Sequence, residues 1–340
     1  MGILKKALVF LGILVAVLIV VGFLLPQNVH VERGVTIAAP RATVFTIVNG
    51  FRMFSKWSPW AAIDPTMKVT ITGPEWGVGA TQSWVGDPKK VGTGSETITE
   101  SVPYESLTVA LDFGDHGKPI SRWTFATEGD NTKVVWGMDA DMGKGPVGRY
   151  IGLMMDRMVG NDFAKGLASL KTLAEGLPKA DFADLKVETV DTAAVPIAFV
   201  SSTSGKGESE IATAIGAAFG QVGKFMAAAK LKQAGPVMTI NTKWDDTGYA
   251  FEAAVPIDHR PDVPPASAAP VAVKQTYAGK ALKVVHKGAY RTMQKDYDML
   301  DAYAAAHGYE RPAPTWDEYV SDPGKTPESD LLTNIYMPVK

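Results

Sequence analysis

The chain has 340 residues, with 34 lysines and arginines against 36 aspartates and glutamates, for a formal net charge of −2. That length suits two domains better than one, and the balanced charge carries no nucleic-acid footprint. There is no cysteine, which excludes disulfides, thiolate metal sites and cysteine nucleophiles.

The first element is "ALVFLGILVAVLIVVGFLL" (7–25), an apolar run without a charge. As a helix it would reach about 28 Å, close to the hydrocarbon thickness of a bilayer. Lys5 and Lys6 precede it; Pro26, Gln27 and Asn28 follow, then Glu32 and Arg33. The positive-inside rule therefore predicts a cytoplasmic N-terminus, with the bulk of the chain periplasmic or otherwise extracytoplasmic. A cleaved signal peptide normally has an apolar core of about 7–15 residues and a small-residue cleavage site. This run is longer and continues as Leu-Leu-Pro-Gln. The expectation is an uncleaved transmembrane signal anchor over residues 1–28, in the inner (cell) membrane.

From Val29 the pattern changes to short alternating strands. "VHVERGVTI" (29–37) reads as a strand, and Pro40 opens a helix with Val44, Ile47, Val48 and Phe51 on one face. Strand candidates follow: "KVTITG", "ATQSWVG", "TGSETITES", "SLTVALDF", "SRWTFATE" and "TKVVWGMDA", punctuated by Gly, Asp, Asn and Pro. A long helix is expected over about 149–175, carrying Tyr150, Met154, Met158, Phe163, Leu167 and Leu170. One strand, a short helix, a run of antiparallel strands and a long helix suit a sheet gripping that helix. "FRMFSKWSPWAAIDP" (51–65), "GPEWGVGATQSWVGD" (73–87), "VGTGSETITESVP" (91–103) and "MVGNDFAKGLASLKTLAE" (158–175) resemble the polyketide-cyclase/START-like (SRPBCC) helix-grip superfamily over residues 29–177. The resemblance implies a cup for apolar small molecules. It implies no reaction, because the superfamily shares no single catalytic set.

After a linker (175–185), the order of elements repeats weakly. "LKVETVDTAAVPIAFVSSTSG" is a strand region, "ESEIATAIGAAFGQVGKFMAAAKL" a helix, and "PVMTINTKW" with "GYAFEAAVPI" a hairpin. Then "KALKVVHKGAY" is a strand, "RTMQKDYDMLDAYAAAHG" a helix, and "PTWDEYVSDP" with "LLTNIYMPVK" a second strand pair. The halves are joined by "RPDVPPASAAP" (260–270), an irregular connection. Two β-α-β-β units can pair their sheets about a pseudo-twofold axis, where a groove is a natural binding place. "VVHKGAY" (284–290), "WDEYVSDPGKTP" (316–327) and "TNIYMPV" (333–339) resemble the gyrase-inhibitor-like (GyrI-like) domain, the effector-binding domain of bacterial transcription activators, over residues 184–340. In those activators a helix-turn-helix precedes the domain. Here an anchor and a helix-grip domain precede it, so no nucleic acid is expected as partner. The fold class expected is α+β: an N-terminal transmembrane helix, a helix-grip sheet, and a duplicated β-α-β-β domain.

Within "PTWDEYVSDP", Trp316, Glu318 and Val320 should share one face and Asp317, Tyr319 and Ser321 the other. If the Trp face looks into the groove, Glu318 is a carboxylate among rings, and a cation would be its natural partner. The resemblance supports that role, because such effector domains hold lipophilic cations on an acid within aromatic walls. The ligand-binding set expected is Glu318, Trp316, Tyr290, Tyr336, Phe251 and Trp244, the last two lining the facing wall. An enzyme reading uses the same atoms. Some gyrase-inhibitor-like proteins are implicated in hydrolysing strained electrophiles, which would have Glu318 activate water and Trp316 position substrate. Ordinary core packing is the plainer account of the aromatic members, and His286 reads as structural. In the first domain Trp57, Trp60, Trp84, Trp123 and Trp136 either line a cavity or simply fill the core, and Met154 and Met158 suit an adaptable lid.

No cofactor and no metal is expected. There is no H-x-x-x-H pair, no G-x-S-x-G elbow, no dinucleotide fingerprint and no phosphate-binding loop. The leading expectation is a membrane-anchored protein that binds a small hydrophobic or cationic molecule. The alternatives are a hydrolase using Glu318 and a non-catalytic scaffold.

Overall fold

The computed structural model describes residues 2–261 and 270–340. Most of the Pro/Ala-rich connection read at 260–270, namely 262–269, lies outside the described residues. The chain divides into two compact units, the first formed chiefly by residues up to Ala183 and the second by residues from Asp184 on.

The first unit begins with helix α1 (Gly2–Leu24). It is long and apolar enough to cross a membrane, a property it shares with signal sequences. Strand β1 (Asn28–Ile37) follows, then the helices α2 (Arg41–Val48), α3 (Phe54–Trp57) and α4 (Pro59–Ile63). Next come β2 (Lys68–Thr72), β3 (Thr81–Val85), β4 (Thr93–Val102), β5 (Ser106–Asp112), β6 (Ile120–Glu128) and β7 (Asn131–Asp141). They form one antiparallel sheet in the order β1-β7-β6-β5-β4-β3-β2, so each strand from β2 to β6 pairs with its successor and β1 lies beside β7. The Gly-rich stretch before β3 serves the turn: Gly73, Gly77 and Gly79 all have positive φ, where a side chain would be strained.

Helix α5 (Pro146–Glu175) closes the unit. It starts a turn earlier than the apolar periodicity indicated, because Pro146 sits in the first turn, where its fixed φ and missing N–H suit a helix start. Its buried side is Gly152, Gly160, Phe163, Gly166, Leu167, Leu170 and Ala174. A Cβ on Gly166 would stand 2.9 Å from the Trp136 ring, so the helix comes close to the sheet there. The core joins α2, α3, α5 and one face of the sheet through Phe45, Trp57, Trp123, Phe125, Trp136 and Phe163, among others.

The second unit carries β8 (Glu188–Thr192), β9 (Pro196–Ser204), α6 (Glu208–Ala228), β10 (Met238–Asp245), β11 (Gly248–Pro256) and β12 (Ala272–Gln275). Then come β13 (Gly279–Lys287), α7 (Met293–His307), β14 (Trp316–Tyr319) and β15 (Leu332–Pro338). The sheet order is β12-β9-β11-β10-β14-β15-β13-β8. Its middle six strands are two copies of one pattern, β9-α6-β10-β11 and β13-α7-β14-β15, meeting at β10 and β14. The sequence expectation merged β8 with β9 and lacked β12. Those strands cap the two edges, β8 on β13 and β12 on β9. Helix α6 is also long and apolar enough to span a membrane, yet its buried face packs on β9 and β11 through Ala218, Val222, Phe225 and Met226. Helix α7 packs on β13 and β15 through Met293, Leu300 and Ala304.

Candidate functional site

The two repeats are joined by the register Met238↔Glu318, Thr239↔Asp317 and Ile240↔Trp316. Alternation along a strand sends neighbouring side chains to opposite faces. Asp317 lies opposite Ile335, whose side chain is in the core beneath α7. Asp317, Tyr319, Thr239 and Asn241 are therefore on the helix side of the sheet, while Trp316 and Glu318 are on the far side. Since α6 covers β9 and β11 and α7 covers β13 and β15, the central strands present their helix-side residues between the helices.

Asp317 is only 4% exposed. Tyr297 of α7 donates its hydroxyl to Oδ1. Asn241 Nδ2 donates to Oδ2 at 3.0 Å, and the Thr239 hydroxyl lies 3.3 Å from the same oxygen. Thr239 also meets the Tyr319 hydroxyl at 3.0 Å, and Tyr249 donates to Asn241 Oδ1 at 2.5 Å. Every donor to the carboxylate is neutral, and among the described residues no cationic side chain forms an ion pair with it. Burial pushes Asp317 up to about 6, against the opposing pull of these hydrogen bonds and, more weakly, of His286. Burial, and next the charge of Asp317, raise Tyr297 and Tyr319 well above the usual tyrosine range, so both remain hydroxyl donors. Two further rings border the cluster: Phe219 of α6 and Tyr290 meet the Tyr319 ring edge-on, at 6.4 and 5.5 Å.

The expected set of ligand residues divides between the two faces. Trp316 stacks on Tyr336 at 4.8 Å, and Asn334 Nδ2 donates to Glu318 at 3.2 Å, all on the far side and partly exposed. Tyr290 borders the Asp317 cluster. Phe251 is fully buried beneath α6 and stacks on Tyr249 at 4.8 Å. Trp244 stands at the rim, about half exposed, with its ring 5.4 Å from Tyr249. Glu318 is only partly buried, and the carboxylate enclosed on the helix side is Asp317. Trp316 and Glu318 share a face, as alternation requires, and it is the face away from the helices. The signal for Asp317 was in the partner strand "MTINT", where Thr239 and Asn241 alternate with apolar residues and ask for a polar neighbour.

His286 clips β13 to α7. Its Nδ1 lies 2.5 Å from Asp296 Oδ2, and its Nε2 donates to Ala289 O at 3.1 Å. That clip holds the turn bearing Tyr290.

In the first unit the tryptophans fill the interior. Phe163, Trp136 and Trp123 form a parallel stack with centroid steps of 4.1 and 4.3 Å. Trp57 meets both Trp123 and Trp136 edge-on at 5.7 Å, and Trp60 meets Trp136 at 5.6 Å. Trp136 Nε1 donates to Ser121 Oγ at 2.9 Å. Trp84 lies apart, against Phe113 at 5.8 Å. Met154 and Met158 are exposed. A second acid missed in the sequence is Glu96, which accepts the Gln82 amide and which burial pushes up to about 7.

Residues 28–175 match the family model described as polyketide cyclase / dehydrase and lipid transport. Residues 185–340 match that of the GyrI-like small molecule binding domain. No curated protein matches the chain. Among solved structures the chain is similar to EcmrR in its DNA complex, at 14% identity over 57% of this chain and 72% of that one, with a TM-score of 0.41. A hydrolase from Listeria innocua is similar at 14% identity over 46% and 92%, with a TM-score of 0.34. Ara h 8.0201 is similar at 10% identity over 43% and 99%, with a TM-score of 0.32. Two models of small-molecule binding type thus match the chain in succession, polyketide cyclase / dehydrase and lipid transport over the first unit and the GyrI-like small molecule binding domain over the second.

Proposed function

We propose that the chain is a single-pass membrane protein whose second unit binds a small, hydrophobic cation on Asp317. One observation carries this reading: a carboxylate buried among tyrosines, hydrogen-bonded only by neutral donors and without a cationic partner among the described residues. An ionised carboxylate in such surroundings is costly until a cation joins it. A ligand whose charge meets Asp317 while its apolar body contacts Tyr290, Tyr319 and Phe219 gains both Coulomb attraction and cation–π contact. The protein would buffer, sense or deliver that molecule at the outer face of the inner membrane. Helix α1 is the anchor in this reading, with Lys5 and Lys6 on the cytoplasmic side.

The ligand requires ionised Asp317. Binding of a rigid aromatic quaternary ammonium to the full-length protein, followed by calorimetry, should strengthen about tenfold per pH unit below the carboxyl's value and level off above it. That value is about 6, and the groups facing it are Tyr297, Tyr319, Tyr249 and His286. Affinity that is flat across this range would reject the reading. For the anchor, a reporter active only outside the cytoplasm should be active when fused after Lys340; activity there of a reporter restricted to the cytoplasm would reject the orientation.

One observation favours a hydrolase as the second reading. An acid at about 6, hydrogen-bonded to Tyr297, is set near neutrality as a general acid–base should be. The role given to Glu318 in the sequence then passes to Asp317. Turnover of a strained electrophile that Asp317→Asn abolishes, with binding retained, would favour it; a scaffold would show neither binding nor turnover.

A further inference from the structure

We infer that the first half of α5 is a second membrane-contacting element, seated in the outer leaflet of the bilayer that α1 crosses. The inference rests on the anchor reading of α1. Its own basis is how α5 meets α1. Tyr150 donates its hydroxyl to Leu18 O at 2.8 Å, and Arg149 Nη1 donates to Phe23 O at 2.6 Å and to Leu25 O at 3.0 Å. A Cβ on Gly22 would stand 2.5 Å from Pro146 Cβ and 2.8 Å from the Tyr150 ring, so the two helices touch closely there. Gly22 is the one buried residue of α1.

Leu18 lies two turns before the end of the apolar run, about 10 Å along the helix axis. If α1 spans the bilayer and its run ends at the outer boundary, α5 crosses it at Gly22, about 5 Å inside that boundary, and the Tyr150 hydroxyl reaches the depth of Leu18. Depths of about 5–10 Å are where interfacial helices bury their apolar faces.

The side chains suit that place. Val147, Ile151, Met154 and Met158 follow a spacing of four, three and four residues, hence one helical face, and all are exposed, Val147 at 71%. Scattered exposed apolar residues need no partner, but a continuous stripe does. The side chains of α1 are likewise exposed and apolar, from Leu8 to Leu24. From Pro146 to Met155 the only charge is Arg149, already engaged with the last carbonyls of α1. The next charges are at the far end: Asp156, paired with Arg33 at 2.8 Å, and Arg157. Lys144 precedes the helix and faces solvent, where anionic headgroups would attract it.

The absence of cysteine makes the test direct. Single-site variants Met154→Cys in α5, Leu14→Cys in α1 and Lys133→Cys on β7 carry an environment-sensitive fluorophore. The full chain is reconstituted in phosphatidylcholine–phosphatidylglycerol vesicles containing nitroxide lipids. All three sites lie at exposed positions, so the substitutions leave the fold intact. The label at 154 should lose about half its emission to a shallow nitroxide, as an interfacial residue would. The label at 14 should respond to a deep nitroxide, and that at 133 only to aqueous iodide. If the label at 154 responds to iodide while that at 14 responds to lipid, the inference fails and the anchor stands. If the label at 14 also sits in water, the anchor reading fails and takes the inference with it. A label at 154 shielded from both quenchers would mean that protein, not lipid, covers the stripe, and would overturn the inference too.

Discussion

Asp317→Asn is expected to weaken binding of an aromatic quaternary ammonium by about 10–100-fold near neutral pH, the range for losing the charge partner of a buried pair. Glu318→Gln should leave that affinity within about twofold, as a partly exposed charge on the far face should. The contrast discriminates because the two residues are adjacent in sequence and differ in which way they point. Loss of binding in Glu318→Gln with none in Asp317→Asn would return the site to the face carrying Trp316 and Tyr336. The same substitution carries a stability signature in the unliganded protein. The folded-state value of Asp317, about 6, lies above its ordinary 3.8. The folded state therefore holds this proton more tightly than the unfolded chain does, and the stability so conferred is full below 3.8. It is lost as pH rises through about 6, and the amount is on the order of 3 kcal/mol. Asparagine cannot titrate, so the wild-type protein should lose stability relative to Asp317→Asn over that window. The fixed cost of fitting an amide beside Asn241 displaces the difference curve without tilting it. Urea unfolding at several pH values supplies the curve, and a level one would show that Asp317 is not held in the desolvated state described.

The second large effect concerns the other unit. Trp136→Ala should destabilise it by about 3–5 kcal/mol, the range for removing a large aromatic from a packed core. Trp136 is 4% exposed and stands at the centre of the ring assembly, touching Trp57, Trp60, Trp123 and Phe163. Its removal would take away two stacked and two edge-on contacts at once, each worth about 0.5–1.5 kcal/mol and not simply additive. Trp316→Ala, on a half-buried ring, should cost distinctly less. Denaturant unfolding followed by near-ultraviolet circular dichroism measures both. A loss below about 1 kcal/mol in Trp136→Ala would mean that the rings line open space instead of filling it.

Periodicity made much of this architecture legible. The strands from β2 to β7 were marked by alternation and by Gly, Asp and Asn turns, and the duplicated order of the second unit showed in its helix and hairpin patterns. The edge strands were harder to see. β12 is four residues long, and β8 and β9 run together in sequence, separated only by residues 193–195. The start of α5 was hidden because periodicity needs a full turn, whereas a proline at the first position is a single-residue signal. An acid among rings was legible in kind, and the buried one is Asp317, the neighbour of Glu318. Strand alternation fixes which side chains travel together but not which set meets a helix. That choice depends on long-range pairing, here of Asp317 with Thr239 and Ile335. The tryptophans of the first unit posed the opposite difficulty: composition cannot tell a lined hollow from a filled one, and only the ring-to-ring distances separate them.

The seam between the repeats is nearly symmetric, yet its central pair is not. Thr239 faces Asp317 across it, so duplication has left one half with a hydroxyl where the other has an acid. Two acids at that spot would repel at close range; instead the hydroxyl of one repeat stands 3.3 Å from the carboxylate of the other. A doubled scaffold thereby carries a single charge where strict duplication would have set two against each other.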